Sequence, residues 1–330
     1  MPRPTPRPTP PRLRPRPFPI RLVAAVLGLV FVLASCGSED ASSNGSAGTA
    51  NEKPSAATGG TLRIGAIPDQ DPEVLARNYA LVADYLSTSI DVDVEFVPVA
   101  DYAAAVALFR TGDLDLVWFG GLTGVQARLE TPGAKVVAER DIDQAFHSVF
   151  IANSEAGIGP IASVEELSVF KGRRFTFGSE SSTSGRLMPQ YFLEQAGVTA
   201  DSFAGEAGFS GAHDKTIALV ASGAFEAGVL NEQVWRKAVE DGSVDTATVV
   251  EVFRTPPYHD YHWLLHPAAI ERYGRSFESK VTGALTALSA DDPDQAAILE
   301  FFGAGGFVRG DADNYDQIEQ IGRTLGLITG

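Results

Sequence analysis

The chain of 330 residues contains one cysteine, two methionines and five histidines. A single thiol, Cys36, excludes an intramolecular disulfide and any thiolate metal cluster. Positive charge is also scarce: 26 Lys and Arg stand against 42 Asp and Glu, a net charge of −16. Such a surface is a poor partner for nucleic acid. There is no Gly-x-Ser-x-Gly elbow, no His-Glu-x-x-His pair and no Walker-type glycine–lysine loop. No apolar run is long enough to span a bilayer; the longest, Leu22 to Ala34, has 13 residues. These absences argue against an enzyme and imply no cofactor, although Ser, His and Asp residues near plausible loops keep a phosphate-ester hydrolase, with His213 as base, in view as an alternative.

The apolar run follows six arginines, from Arg3 to Arg21, and ends in Leu33-Ala34-Ser35-Cys36. A positive start, a short apolar stretch and a cysteine after small residues read as a lipoprotein signal over 1–35, with Cys36 as the lipidated first residue. Loss of this segment leaves 20 basic against 42 acidic residues. Residues 36–60, rich in Ser, Gly, Ala and Asn, form a flexible tether that reaches roughly 25–30 Å from a bilayer. The expected place is therefore extracytoplasmic, held to the cell membrane.

From residue 61 onward, strand-like and helix-like segments alternate. Strands are expected at Leu62–Ile67, Val92–Val99, Leu114–Phe119, Ser148–Ala152, Arg174–Gly178, Glu226–Leu230 and Val249–Phe253. Helices are expected from Asp71-Pro72-Glu73, where a capping residue precedes Pro and an acid, over Asp101–Arg110, Ser184–Ala196 and Asn231–Glu240, and from Asp214. This succession predicts parallel α/β sheets. Strand Ser148–Ala152 and the Thr255-Pro256-Pro257 break divide the chain into lobe 1 (61–145 plus 258–330) and lobe 2 (146–257), joined by two hinge crossings. Open α/β sheets bind ligands at the carboxyl ends of their strands.

The most informative stretch is Phe175-Thr-Phe-Gly-Ser-Glu-Ser-Ser-Thr-Ser-Gly185. It reads as a short strand, five hydroxyl residues interrupted only by Glu180, and a helix. Ser182, Thr183 and Ser184 stand where a helix leaves its first N–H groups unpaired, an arrangement suited to a small anion. One hydroxyl would suffice as a plain helix cap; this segment supplies several. His213 and Asp214 open another helix, His213 as a hydrogen-bonding group for an oxyanion and Asp214 either as a second such group or as a cap. His259, His262 and His266 have helical metal-ligand spacing, but the preceding Pro-Pro and the intervening Trp and Leu favour extended chain and a cleft-lining hinge.

Ser-Thr-Ser-Gly at 182–185 and Gly-Ala-His-Asp at 211–214, with the lipobox and the two-lobed pattern, resemble the phosphonate/phosphite-type substrate-binding proteins of ABC importers. Phe175–Leu193, Asn-Glu-Gln-Val-Trp at 231–235 and Thr-Pro-Pro-Tyr-x-Asp-Tyr-His-Trp at 255–263 are similar to a subgroup described as selenate importers. The resemblance implies a type II periplasmic-binding-protein fold, with an ABC permease and its ATPase as partners and a monomer as the working form. It also implies that Ser182, Thr183, Ser184 and His213 hold the oxyanion. Tyr102 matches a family tyrosine, while His147 stands where a tyrosine is common. Acidic residues that grip an aminoalkyl group fall near Asn231 and Asp260, beside Tyr261; the neutral Asn231 argues against an ammonium-bearing ligand.

Selenate and sulfate carry no proton near neutral pH, whereas phosphite and phosphonates do. A carboxylate in the cleft accepts from a protonated ligand and repels one with nothing to donate. Asp214 and Asp260 turned away from the cleft would favour selenate, and either turned inward would favour phosphite or a phosphonate. Asn231 and the subgroup resemblance set the expectation at a selenate-type ligand.

Overall fold

The computed structural model describes residues 60–329. The signal segment, Cys36 and the tether up to residue 59 lie outside the described residues. Eleven strands are found among the described residues: β1 (Leu62–Ala66), β2 (Val94–Phe96), β3 (Leu116–Phe119), β4 (Lys135–Arg140), β5 (Ser148–Asn153), β6 (Phe175–Phe177), β7 (Gly208–Phe209), β8 (Ala227–Asn231), β9 (Val249–Arg254), β10 (His262–Leu265) and β11 (Phe307–Val308). They form two sheets, ordered β11-β4-β10-β3-β1-β2 and β7-β6-β8-β5-β9. Helices pack on both, giving two α/β lobes of the type II periplasmic-binding-protein kind. No described helix is long and apolar enough to cross a membrane.

Local chemistry starts the helices where the sequence suggests. Asp71 accepts from the N–H groups of Glu73 and Val74, Pro72 takes the first helical position, and Pro72–Ile90 buries Leu75, Tyr79, Val82, Ala83, Leu86 and Ile90 on one stripe. Asp101 caps Tyr102–Arg110 in the same way. In β5 the two-residue period divides two cores. Phe150 packs with Phe170, Phe175 and Phe253 on one face of the sheet, while Val149 and Ile151 join Ile217, Leu230 and Trp235 on the other.

The sheets are mixed, not purely parallel. β1 pairs parallel with β2 and β3, and β6 with β7 and β8. β10 enters antiparallel between β3 and β4, and β5 runs antiparallel to β8 and β9. β5 and β10 are the strands that arrive from the other lobe, a direct crossing that delivers the chain without the helix a parallel connection requires, while β11 runs antiparallel to β4 within its own lobe. β4, β7 and β11 fall on segments where the sequence shows no strand pattern. The two crossings lie side by side: Phe146 and Tyr258 exchange both backbone hydrogen bonds (2.9 and 3.0 Å) as an isolated antiparallel bridge.

Candidate functional site

Both sheets direct helix starts towards the inter-lobe cleft. In lobe 2, β6 ends at Gly178, and the chain turns through the serines into a single π-turn, Thr183–Leu187, that continues as the α-helix Met188–Gln195. The wide turn arises because Leu187 N–H reaches back to the Ser182 carbonyl (2.9 Å). Gly178 and Gly185 make it possible. Gly178 N–H donates to the Gly185 carbonyl (2.8 Å), and a methyl group on Gly185 would stand 3.0 Å from Ser182 Oγ, 3.1 Å from Gly178 Cα and 3.2 Å from His213 Cε1.

Each hydroxyl has a distinct role. Ser182 Oγ accepts from Gly185 N–H (2.9 Å), so Ser182 is the cap. Thr183 Oγ1 accepts from Leu122 N–H (2.9 Å), a contact from one lobe to the other. Ser184 Oγ is buried and has no hydrogen-bond partner among the described residues, and the same holds for the Tyr102 hydroxyl and for Asp260 Oδ2. Buried polar atoms are rarely left unpaired, and here two hydroxyls and one carboxylate oxygen are left so around one helix start.

In lobe 1, β3 ends at Gly120, and Gly121–Glu130 forms a helix whose first N–H groups face the same region. Gly121 N–H donates to Asp260 Oδ1 (2.9 Å). Asp260 is fully buried, and a methyl group on Gly120 would meet both Thr183 Oγ1 (3.2 Å) and Asp260 Oδ1 (3.3 Å). Burial pushes the Asp260 carboxyl up to about 7, against the pull of the Gly121 N–H, the Thr183 hydroxyl and Arg140. Asp260 therefore points inward, at the junction of two helix N-termini.

His213 is the first residue of the helix His213–Ala221, and its backbone N–H donates to the Asp69 carbonyl (2.9 Å) across the cleft. Burial lowers its imidazole to about 3, so the ring is neutral at any physiological pH. Nδ1 accepts from Asn231 N–H (3.4 Å), and Nε2 faces the Tyr261 hydroxyl (3.4 Å). Tyr261 Oη donates to Asp69 Oδ2 (3.1 Å) and accepts from Asn231 Nδ2 (2.9 Å). Tyr261 also stacks on Trp118 (centroids 5.6 Å apart), which is core as well as cleft wall. A polar cavity of about 100 Å³, lined by Asp69, Trp118, Arg140, Asn231 and Tyr261 among others, adjoins this network.

Ser182, Thr183, Ser184, His213, Tyr102, Asp260, Asn231 and Tyr261 are thus brought into one neighbourhood. The placement of two further expected residues, Asp214 and His147, is more particular. Asp214 caps nothing: Ala212 occupies the cap position, and Asp214 Oδ1 is buried and unpartnered among the described residues, close enough to Asp69 and Tyr102 to act on both electrostatically. The helix starts one residue earlier than expected, and this rotates Asp214 off the cap. His147 lies half-buried at the crossing, its Nδ1 against the Thr255 carbonyl (2.6 Å). The crossing phenol comes instead from Tyr258, whose hydroxyl pairs with Ser148 Oγ (2.6 Å). Asn231 caps Glu232–Glu240 by accepting from Val234 N–H (2.7 Å). His266 likewise caps its helix, while His259 and His262 both pack on Tyr315, so the three histidines form no common cluster among the described residues. Asp69 was missed, since it reads as a loop residue before a helix; an acid just past the end of β1 was the available signal.

The sequence pattern of the family described as "ABC transporter, phosphonate, periplasmic substrate-binding protein" matches residues 64–315. The chain belongs to this family. It is therefore an extracytoplasmic receptor that binds a small oxyanion for an ABC importer, and not an enzyme. The chain is 48% identical over 268 residues to the probable ABC transporter phosphite binding protein PhnD1 of Prochlorococcus marinus (strain MIT 9301), covering 81% of this chain and 90% of that protein. The solved structure of PhnD1 from that organism in complex with methylphosphonate superposes with a TM-score of 0.80 at 48% identity, over 81% of this chain and 99% of that one. The phosphonates-binding periplasmic protein of Escherichia coli (strain K12) is 26% identical over 137 residues, 40% of this chain and 39% of the relative. None of these relatives singles out selenate.

Proposed function

We propose that this receptor captures phosphite or a phosphonate as small as methylphosphonate, in a form that still carries a proton, and delivers it to its permease. The observation that carries the reading is Asp260: a buried carboxylate with one oxygen fixed by Gly121 and the other unpartnered beside the Ser182–Ser184 turn. The anion and Asp260 need one proton between them. Phosphite and phosphonates bring it with them, whereas selenate and sulfate leave it to Asp260 alone, at a cost that grows as pH rises above about 7, so the expectation of a selenate-type ligand gives way. Donors for the remaining oxygens are the hydroxyls of Tyr102, Thr183 and Ser184, the first amides of the π-turn, and His213 Nε2–H. The names of the relatives support the same choice.

Competition calorimetry with phosphite, methylphosphonate, phosphate, sulfate and selenate tests the assignment. The expected order places phosphite or methylphosphonate first, with sulfate and selenate at least about 100-fold weaker, the coupling of a close charged pair. Asp260→Asn should narrow that gap. Tight selenate binding with phosphite and methylphosphonate inert overturns the reading.

We further propose lobe boundaries at 61–145 plus 258–330 and 146–257, and an anchor at Cys36 after cleavage of 1–35. The lipobox-like sequence supports the anchor; a Cys36→Ala variant that remained in the membrane fraction would remove it.

A further inference from the structure

Asp69 has no evident structural reason to be where it is. It lies in the loop after β1, is almost fully buried, and has no ion-pair partner among the described residues. Arg140, which acts on it at longer range, is already committed to Asp143 through two short contacts (2.6 and 2.8 Å). A buried, unpaired carboxylate beside an anion site is costly unless it does something there.

We propose that Asp69 is a positioning residue that sets the tautomer of His213, so that the imidazole turns an N–H and not a lone pair towards the oxyanion. This rests on the reading that His213 faces the ligand. The hydrogen-bond directions follow one from another. Asn231 Oδ1 is held by Val234 N–H, so the Asn231 amide must turn its NH₂ to Tyr261 Oη. Tyr261 Oη therefore accepts on that side, and its own proton has two destinations: Asp69 Oδ2 at 3.1 Å or His213 Nε2 at 3.4 Å. A carboxylate is the stronger acceptor and takes it. His213 Nε2 is then opposite a phenol lone pair, which favours a proton on Nε2; at 3.4 Å that contact is long, so an arriving oxyanion can compete for the same N–H. The Asn231 backbone N–H at Nδ1 asks for the same tautomer from the other side of the ring. Because the buried imidazole stays neutral, it carries one proton only, and where that proton sits decides whether the ring attracts or repels an anion.

Without Asp69, the Tyr261 proton would turn to Nε2 and draw the ring towards the Nδ1–H form. The carboxylate thus acts on the ligand through two intermediaries.

Long-range proton–nitrogen NMR correlation on the ¹⁵N-histidine-labelled, ligand-free protein tests this directly, with His213→Gln used to assign the signal. The wild type should show His213 as the Nε2–H tautomer. Asp69→Ala should shift it measurably towards Nδ1–H and weaken phosphite binding about tenfold or more, as expected for a lost hydrogen bond to a charged group. Asp69→Asn keeps an acceptor oxygen in place and should restore the tautomer and most of the affinity. Wild-type His213 in the Nδ1–H form overturns the proposal, even should the alanine variant fail to fold. An alanine variant with an unchanged tautomer overturns it equally. Should His213→Gln leave phosphite affinity intact, the role towards the anion is lost while the tautomer result still judges the Asp69–Tyr261–His213 relay.

Discussion

Three hydroxyls in a row are engaged in three different ways, Ser182 within its own turn, Thr183 across the cleft and Ser184 with no partner among the described residues, and that division makes their contributions separable. Thr183 Oγ1 alone accepts from the opposite lobe, at Leu122 N–H. Thr183→Val keeps the shape, removes this acceptor and strands a buried N–H. The expected loss of ligand affinity is about 1.5–3 kcal/mol, or roughly 10- to 150-fold, read by calorimetry; a change below about threefold would reduce the threonine to a spacer. Asp260 offers a pH handle. Its carboxyl titrates at about 7 in the folded protein against an ordinary 3.8, so the folded state holds a proton that the unfolded chain has already lost. Stability from this group is present at low pH and declines as pH rises through about 4 to 7. His213 and His262, both lowered to about 3, work in the opposite direction up to about pH 6.5. The difference in Tm between wild type and Asp260→Asn isolates the carboxylate. It should move against the wild type by at least about 3 °C between pH 5 and 8, and a flat difference would place Asp260 in contact with solvent. That the Ser182–Ser184 segment supplies more hydroxyls than one cap needs was legible from residue type and position; which of the three serves as the cap was not. The inward turn of Asp260 was not, because alternation along an extended strand leaves open which face meets the cleft.

The start of the Thr183–Leu187 turn depends on contact between two glycines. Gly185→Ala would press a methyl group against Gly178 Cα and His213 Cε1, neither of which is the free end of a flexible chain. The expected cost is about 1–3 kcal/mol of stability, accompanied by weaker oxyanion binding as the turn shifts away from His213. Equilibrium unfolding and calorimetry together check it, and loss of neither would show that the turn yields freely. Strong apolar content made Leu62–Ala66 readable within a residue, and the cap fixed the start of Pro72–Ile90. β4 was not, since Lys135, Glu139 and Arg140 dilute the apolar pattern; Arg140 is buried only because Asp143 and the Phe302 carbonyl satisfy its guanidinium. Nor could β10 be placed in the middle of the first sheet, between β3 and β4, because its neighbours come from more than 120 residues away.

Ligand capture as proposed draws on both lobes at once. Thr183 and His213 reach across to Leu122 and Asp69 in the closed arrangement, so opening must break these contacts. Closure about residues 145–153 and 253–260 should reduce the radius of gyration when phosphite or methylphosphonate is added. Small-angle scattering at saturating ligand reads this directly, and an unchanged radius would mean that the lobes are already shut without ligand. The two-lobed plan and its crossings were visible in the order of strands and in the Pro256-Pro257 break. Their direct pairing was not, as it joins residues 146 and 258, which share no local pattern.

That pairing has a mechanical result. Two independent linkers would let the lobes slide, twist and splay. Phe146 and Tyr258, bonded backbone to backbone, turn two linkers into one pin. About such a pin the lobes have a single easy rotation, and translation is resisted. Occupancy of the cleft would then be expressed as an angle between the lobes, a quantity open to any partner that contacts both of them.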